Sequence, residues 1–243
     1  MKRVVLAGLM GLLATAAVLA QAPSTGSKPT PKPAVKAKPV TKAKPAVKAV
    51  AEKGPTETVA VLQTKLGKIV IKFFPDKAPN HVKNFISLCK SGFYNGTKFH
   101  RVVPGFMIQG GDPNTKKSDV TLWGQGGHEV NGKEVTVKAE FNDIHHARGI
   151  VSMARAQDPN SASSQFFICV GDAGFLDGKY TAFGQVIEGM DVVDKIVSGP
   201  TVKGPDDPEG SRPQNPVAIE KAFVEQIPVP QPTAQPAAPA PVK

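Results

Sequence analysis

Cysteine is scarce: only Cys89 and Cys169 occur in 243 residues, with no Cys-x-x-Cys pair. That excludes a zinc ribbon and thioredoxin-like dithiol chemistry. Both cysteines fall in strongly apolar stretches, which predicts two buried thiols rather than a disulfide. There is no Gly-x-Ser-x-Gly nucleophile elbow, and Gly124-Gln125-Gly126-Gly127 lacks the spacing of a phosphate or dinucleotide loop. His145 and His146 have no carboxylate or cysteine at ligand spacing, so they read as a loop pair and not as a metal site. No metal or cofactor is implied.

Acidic residues are nearly missing from residues 1–58, which hold ten basic groups against Glu52 and Glu57. Most of the formal net charge of +10 therefore belongs to this segment, since residues 59–225 hold 19 basic and 18 acidic residues. A nearly neutral folded part argues against nucleic-acid binding, which needs a structured basic reading element. The cationic segment implies weak, salt-sensitive contact with anionic envelope surfaces.

One long apolar run exists, Val4 to Ala20, preceded by Lys2 and Arg3 and followed by Ala20-Gln21-Ala22. This is the pattern of a signal peptide cleaved after Ala22, and it predicts an exported, periplasmic or otherwise extracytoplasmic protein. The competing reading is an uncleaved anchor, at the short end of the ~17–25 residues that span a bilayer. No cysteine follows the run, which argues against a lipid-modified lipoprotein. Residues 23–58 are low-complexity Lys/Pro/Ala, with the near-repeats KPAVKAKPV and KAKPAVKAV. Such a composition cannot bury enough apolar surface to offset its ordering entropy. It predicts a disordered linker with a reach on the order of 100 Å at ~3.1 Å per residue. Residues 226–243, rich in Pro and Ala, predict a similar tail. One domain remains, residues 59–225.

In that domain short apolar or alternating runs recur between turn signals: Val59–Thr64, Lys68–Phe73, Phe99–Val103, Met107–Gln109, Gly149–Ala154, Gln165–Val170, Ala182–Val186 and Val217–Val224. Lys65-Leu66-Gly67 marks a hairpin and Pro104-Gly105 a type II turn. Pro79–Ser91 places Val82, Phe85, Ile86 and Cys89 on one helical face between Pro79 and Gly92, and Met190–Val197 predicts a second helix. Eight strands with two isolated helices predict an all-β-dominated fold, a closed eight-stranded antiparallel barrel capped by two α-helices. Side chains just fill such a barrel, so a binding site must lie on its outer face or rim.

Three stretches are chemically informative: FHRVVPGFMIQGGD (99–112), SQFFIC (164–169) and FLDGKYTAFG (175–184). In this order they resemble the cyclophilin-type peptidyl-prolyl cis-trans isomerases, and the resemblance covers essentially all of residues 59–225. It implies that Arg101 is the catalytic arginine. It also implies that Phe106, Met107 and Phe167 hold the substrate proline ring, with Phe175, Leu176 and Tyr180 as the far wall. Gln109 and Gln165 would contact the peptide backbone, and Ala154 and Arg155 would form the edge along which the substrate strand lies. Phe175, Tyr180 and Arg155 stand where tryptophan, histidine and asparagine are common in eukaryotic members, and all three look like exported bacterial ones. Without the indole N–H, weak cyclosporin binding is expected. The partners implied are proline-containing polypeptides, met by a monomer that acts as a folding helper. The alternative is a non-catalytic peptide-binding or envelope-tethered module on the same barrel, against which the intact Arg101 argues. Of the neighbours Phe166 and Phe167, strand parity sends one to the core, and the resemblance makes it Phe166.

Overall fold

The computed structural model describes residues 55–204 and 207–229. The expected signal segment and nearly all of the expected linker and C-terminal tail lie outside the described residues. In chain order the elements are β1 (Thr56–Thr64), β2 (Gly67–Phe73), α1 (Pro79–Lys90), β3 (Arg101–Val103), β4 (Met107–Gly110), β5 (Glu129–Val130), β6 (Lys133–Glu134), β7 (Ile150–Met153), β8 (Phe166–Cys169), β9 (Ala182–Glu188), α2 (Met190–Val197), β10 (Thr201–Gly204), β11 (Asp207–Pro213) and β12 (Lys221–Pro228). Eight strands form one antiparallel sheet in the order β12-β1-β2-β9-β7-β8-β4-β3. The other four make two small hairpins, β5–β6 and β10–β11, which hydrophobic alternation does not reveal.

Two expected strands begin two or more residues later than their sequence pattern. Residues 97–99 leave the β3–β4 pairing because Phe99 would face Gly111, which turns away at φ 88°. They meet residues 217–219 instead: Phe99 N donates to Val217 O at 2.9 Å and Ile219 N to Thr97 O at 2.8 Å. Val217–Ile219 therefore forms only an isolated bridge, Lys98 opposite Ala218, and β12 proper starts at Lys221. At the far end β1 and β12 pair from Thr56 opposite Pro228, so strand structure runs past residues 59 and 225.

One face of the sheet carries the main core. Phe85 of α1 sits among Phe73, Tyr94, Phe166 and Phe183, with ring centroids 4.9–6.0 Å away. Helix α1 buries Val82, Leu88 and Cys89 on that side and has Pro79 in its first turn, where the missing N–H costs nothing. Its free N–H groups are met from afar: Glu140 accepts from Asn80 N at 3.1 Å and His81 N at 3.0 Å. Helix α2 starts at Gly189 (φ 93°), where an added Cβ would overlap the Lys68 carbonyl oxygen. Cys89 and Cys169 are both buried free thiols.

Candidate active site

The site follows from strand parity. On β3, β4 and β8 alternate residues face opposite sides. Val102, Ile108, Phe166 and Ile168 point into the main core, whereas Met107, Phe167 and Cys169 form a second cluster with Ala173 and Leu176. The register then sets one row across four strands: Arg101 opposes Gln109, Gln109 opposes Phe167, and Phe167 opposes Ser152. An arginine, a glutamine and a phenylalanine so share one face at strand-to-strand spacing.

The β3–β4 turn supplies the next wall. Phe106 N donates to Val103 O at 3.0 Å and Gly105 has φ 74°, the type II geometry expected for Pro104-Gly105. It turns Phe106 over the second cluster, where the ring tilts against Phe175 at 5.3 Å. The short 3-10 turn Gly174–Leu176 brings Leu176 in from the other side, nearly buried, and leaves Phe175 62% exposed. Between them lies a cleft of about 330 Å³, lined by ten of the eleven residues singled out above. The side chain of Arg101 is 38% exposed at its mouth. Gln165, the eleventh, lines an adjoining cleft of about 260 Å³ that Ala154 and Arg155 share.

Gln165 is less available than the resemblance implies. Its amide N–H groups donate to Gly124 O at 2.9 Å and Gly126 O at 2.8 Å, and its oxygen accepts from Gln109 Nε2 at 2.9 Å. It thus orients Gln109, whose own oxygen stays open to the cleft, and ties down the 113–138 loop. The same loop is held by Asp112, which accepts from Asn114 N and Gly124 N. At Gly126 an added Cβ would overlap Asp112 Oδ1, so a larger residue there would push against this anchor. These carbonyl partners lie about forty residues from Gln165, out of reach of any local pattern.

Arg155 and Tyr180 act as a pair. The guanidinium lies 4.5 Å above the Tyr180 ring. It also donates to Lys179 O at 3.0 Å and Ala156 O at 2.8 Å, which closes the gap between the end of β7 and the far wall. One charge near Arg101 has no sequence signal: Glu209 on β11 approaches it at 3.9 Å across a hollow of about 650 Å³. The Glu209 side chain is 78% exposed, so this ion pair contributes little. Burial pushes the Cys169 thiol up to about 12, so it is neutral packing beneath Met107 and not a nucleophile.

Residues 59–224 match the family described as "Cyclophilin type peptidyl-prolyl cis-trans isomerase/CLD". The chain belongs to the cyclophilin family. Among similar proteins is a "Probable peptidyl-prolyl cis-trans isomerase" of Brucella abortus (strain 2308), 42% identical over 179 residues, or 72% of this chain and 86% of that one. "Peptidyl-prolyl cis-trans isomerase B" of Escherichia coli (strain K12) is 44% identical over 148 residues, 57% of this chain and 83% of the relative. A solved Cryptosporidium parvum cyclophilin type isomerase, crystallised in the presence of the dipeptide Ala-Pro, is 30% identical with a TM-score of 0.59, covering 69% of this chain and 98% of that one.

Proposed function

We propose that this cyclophilin is an active peptidyl-prolyl cis-trans isomerase that accelerates rotation about X–Pro bonds in exported polypeptides, as a folding helper outside the cytoplasm. The observation that carries the activity is the placement of Arg101 beside the apolar cleft of Phe106, Met107, Phe167 and Leu176. Amide rotation faces a barrier of ~18–20 kcal/mol because resonance is lost. At the twisted state the prolyl nitrogen recovers its lone pair, and a donor aimed at it binds that state more tightly than either planar one. Arg101 is always charged, and its planar fork reaches nitrogen and carbonyl together. The apolar walls grip the ring and lower the local dielectric, which strengthens the arginine's effect. Gln109 holds the neighbouring peptide group through its free oxygen.

Export rests on the charged start, apolar run and Ala20-Gln21-Ala22 site. The eight-stranded sheet is read as a closed barrel on the hydrogen bonds that join residues 97–99 to 217–219. The protein works as a monomer, with the basic linker touching anionic envelope surfaces. Cyclosporin binds weakly, because Phe175 has no N–H to donate.

A protease-coupled or NMR exchange assay on an X–Pro peptide tests the activity. The purified protein accelerates exchange, and Arg101→Ala loses that acceleration while keeping its circular dichroism. Equal rates in the two proteins, or none in either, would sink the reading. N-terminal sequencing of the mature protein, starting at Pro23, tests the export signal.

A further inference from the structure

Behind the cleft runs a chain of hydrogen bonds in which Arg101 has no part. The buried His146 ring has a partner at each nitrogen: Nδ1 lies 2.8 Å from Asp177 Oδ1, and Nε2 lies 3.1 Å from Ser152 Oγ. The His146 backbone N–H donates to the same Asp177 oxygen at 2.9 Å. A carboxylate only accepts here, so His146 donates from Nδ1 to Asp177, while Nε2 and the serine hydroxyl share the second hydrogen bond. The flat face of the imidazole lies against Phe167, with centroids 6.2 Å apart and planes 19° from parallel. The other oxygen of Asp177 is 2.6 Å from His145 Nδ1, and Ala173 N donates to His146 O at 2.9 Å. Residues 145 and 146 therefore fasten the 173–177 segment, and with it Leu176, to the strand that carries Ser152.

The order Asp177–His146–Ser152 has the connectivity of a charge-assisted nucleophile. Ser152 is fully buried, however, so no acyl group reaches its hydroxyl. Among the described residues no cluster of His, Cys, Asp or Glu converges as metal ligands. What the chain of bonds does reach is the floor of the cleft, Phe167, and its far wall, Leu176.

The geometry points to His146 as a positioning residue for the isomerase: held between Ser152 and Asp177, it fixes the Phe167 ring and the width of the proline slot. This inference rests on the isomerase reading. A phenylalanine at the floor of a cleft has two χ angles free to move unless a neighbour is wedged against it. Tyr180 meets the ring edge-on at 5.9 Å, and His146 lies nearly parallel to it as a second wedge, which its two hydrogen bonds keep from turning away. A displacement of about 1 Å in a positioned group can cost up to ~100-fold in rate, so loss of the wedge is visible in kinetics.

The test uses His146→Phe, which keeps a ring and removes both hydrogen bonds, and Asp177→Asn, which keeps the shape and removes the charge. Each variant is expected to lower kcat/KM on an X–Pro peptide on the order of tenfold. In protein labelled at aromatic carbons, each broadens or splits the Phe167 signal and leaves that of Phe166, on the opposite face, sharp. Should His146→Phe not fold, Asp177→Asn decides alone. A kcat/KM within twofold of the parent in a folded variant overturns the inference, as does equal broadening of Phe166 and Phe167. A parent protein with no activity would instead overturn the isomerase reading, which separates the two failures.

Discussion

Arg101 and Gln109 are directly opposed residues of the β3–β4 pair, and Gln109 in turn faces Phe167 on β8. The charged group, the amide and the ring floor of the cleft are thus set by backbone pairing and not by loop conformation. A one-residue slip would send all three into the core, which is why the Pro104-Gly105 turn that fixes this register matters as much as the side chains.

Gln165→Ala removes both donors that hold the carbonyls of Gly124 and Gly126 and releases Gln109. Activity is expected to fall about tenfold, the cost of a few unmade hydrogen bonds, with little change in melting temperature. Gln165→Glu is expected to be worse, since a carboxylate would face two carbonyl oxygens. Kinetics with matched thermal melts check both, and an unchanged rate in Gln165→Glu would refute the role given to this amide.

Arg155→Ala breaks the stack on Tyr180 and the bonds to Lys179 O. A cation–π contact of ~0.5–1 kcal/mol corresponds to a loss of about two- to fivefold in kcat/KM. Arg155→Lys does not restore it, because an ammonium lacks the planar fork. A fully active lysine variant would show that charge alone suffices there.

The histidines should titrate in a defined order. Hydrogen bonds to Asp177 and then Asp172 raise His145 above 6.5. Burial lowers His81 and His100 below 6.5, against the pull of Glu140 on His81 and of Asp112 on His100. The raised group stabilises the fold fully below 6.5 and loses that effect as pH rises through its folded value. The lowered pair act oppositely: the unfolded chain protonates them first, so stability falls as pH drops below 6.5. Asp177, held far below the carboxylate range chiefly by its hydrogen bond from His145, adds stability above 3.8 that acid removes. An NMR titration of the imidazole signals reads the order directly, and His81 titrating above His145 would contradict it.

Both thiols are pushed up to about 12 by burial. Ellman's reagent at pH 8 is expected to leave Cys89 and Cys169 unmodified in the native protein and to titrate both in denaturant. Native reaction at the rate of a free thiol would show that one of them is accessible.

Phe85 is fully buried among four rings. Phe85→Ala is expected to destabilise by ~3–5 kcal/mol in urea unfolding. A loss under ~1 kcal/mol would mean that the α1 contact with the sheet is looser than its packing indicates.

Much of this was legible in the sequence because it depends on local period. Strand parity puts Phe166 and Phe167 on opposite faces, the three stretches at 99–112, 164–169 and 175–184 carry the resemblance that singles out Arg101 and Phe167, and the helical spacing of Val82, Phe85 and Cys89 marks α1. What stayed hidden depends on distant partners. Hairpin β10–β11 is rich in Pro, Gly and Asp, and Asp207 organises its end by accepting from the backbone N–H groups of Gly210, Ser211 and Arg212. No apolar alternation announces such a pair. The Gln165 carbonyl partners and the His146–Asp177 bond each join residues thirty or more apart, so neither histidine nor glutamine betrays its role locally.

The pairing of Thr56 with Pro228, continued by Val229 N donating to Pro55 O at 2.9 Å, leaves the two ends of the domain side by side. Opposed residues of antiparallel strands stand ~4.5–5.5 Å apart, a gap that two or three glycines bridge. The domain therefore lends itself to circular permutation, with new termini opened at the two-residue Lys65-Leu66 turn. Such a rearranged chain would keep the row from Arg101 to Ser152 intact while removing both natural extensions.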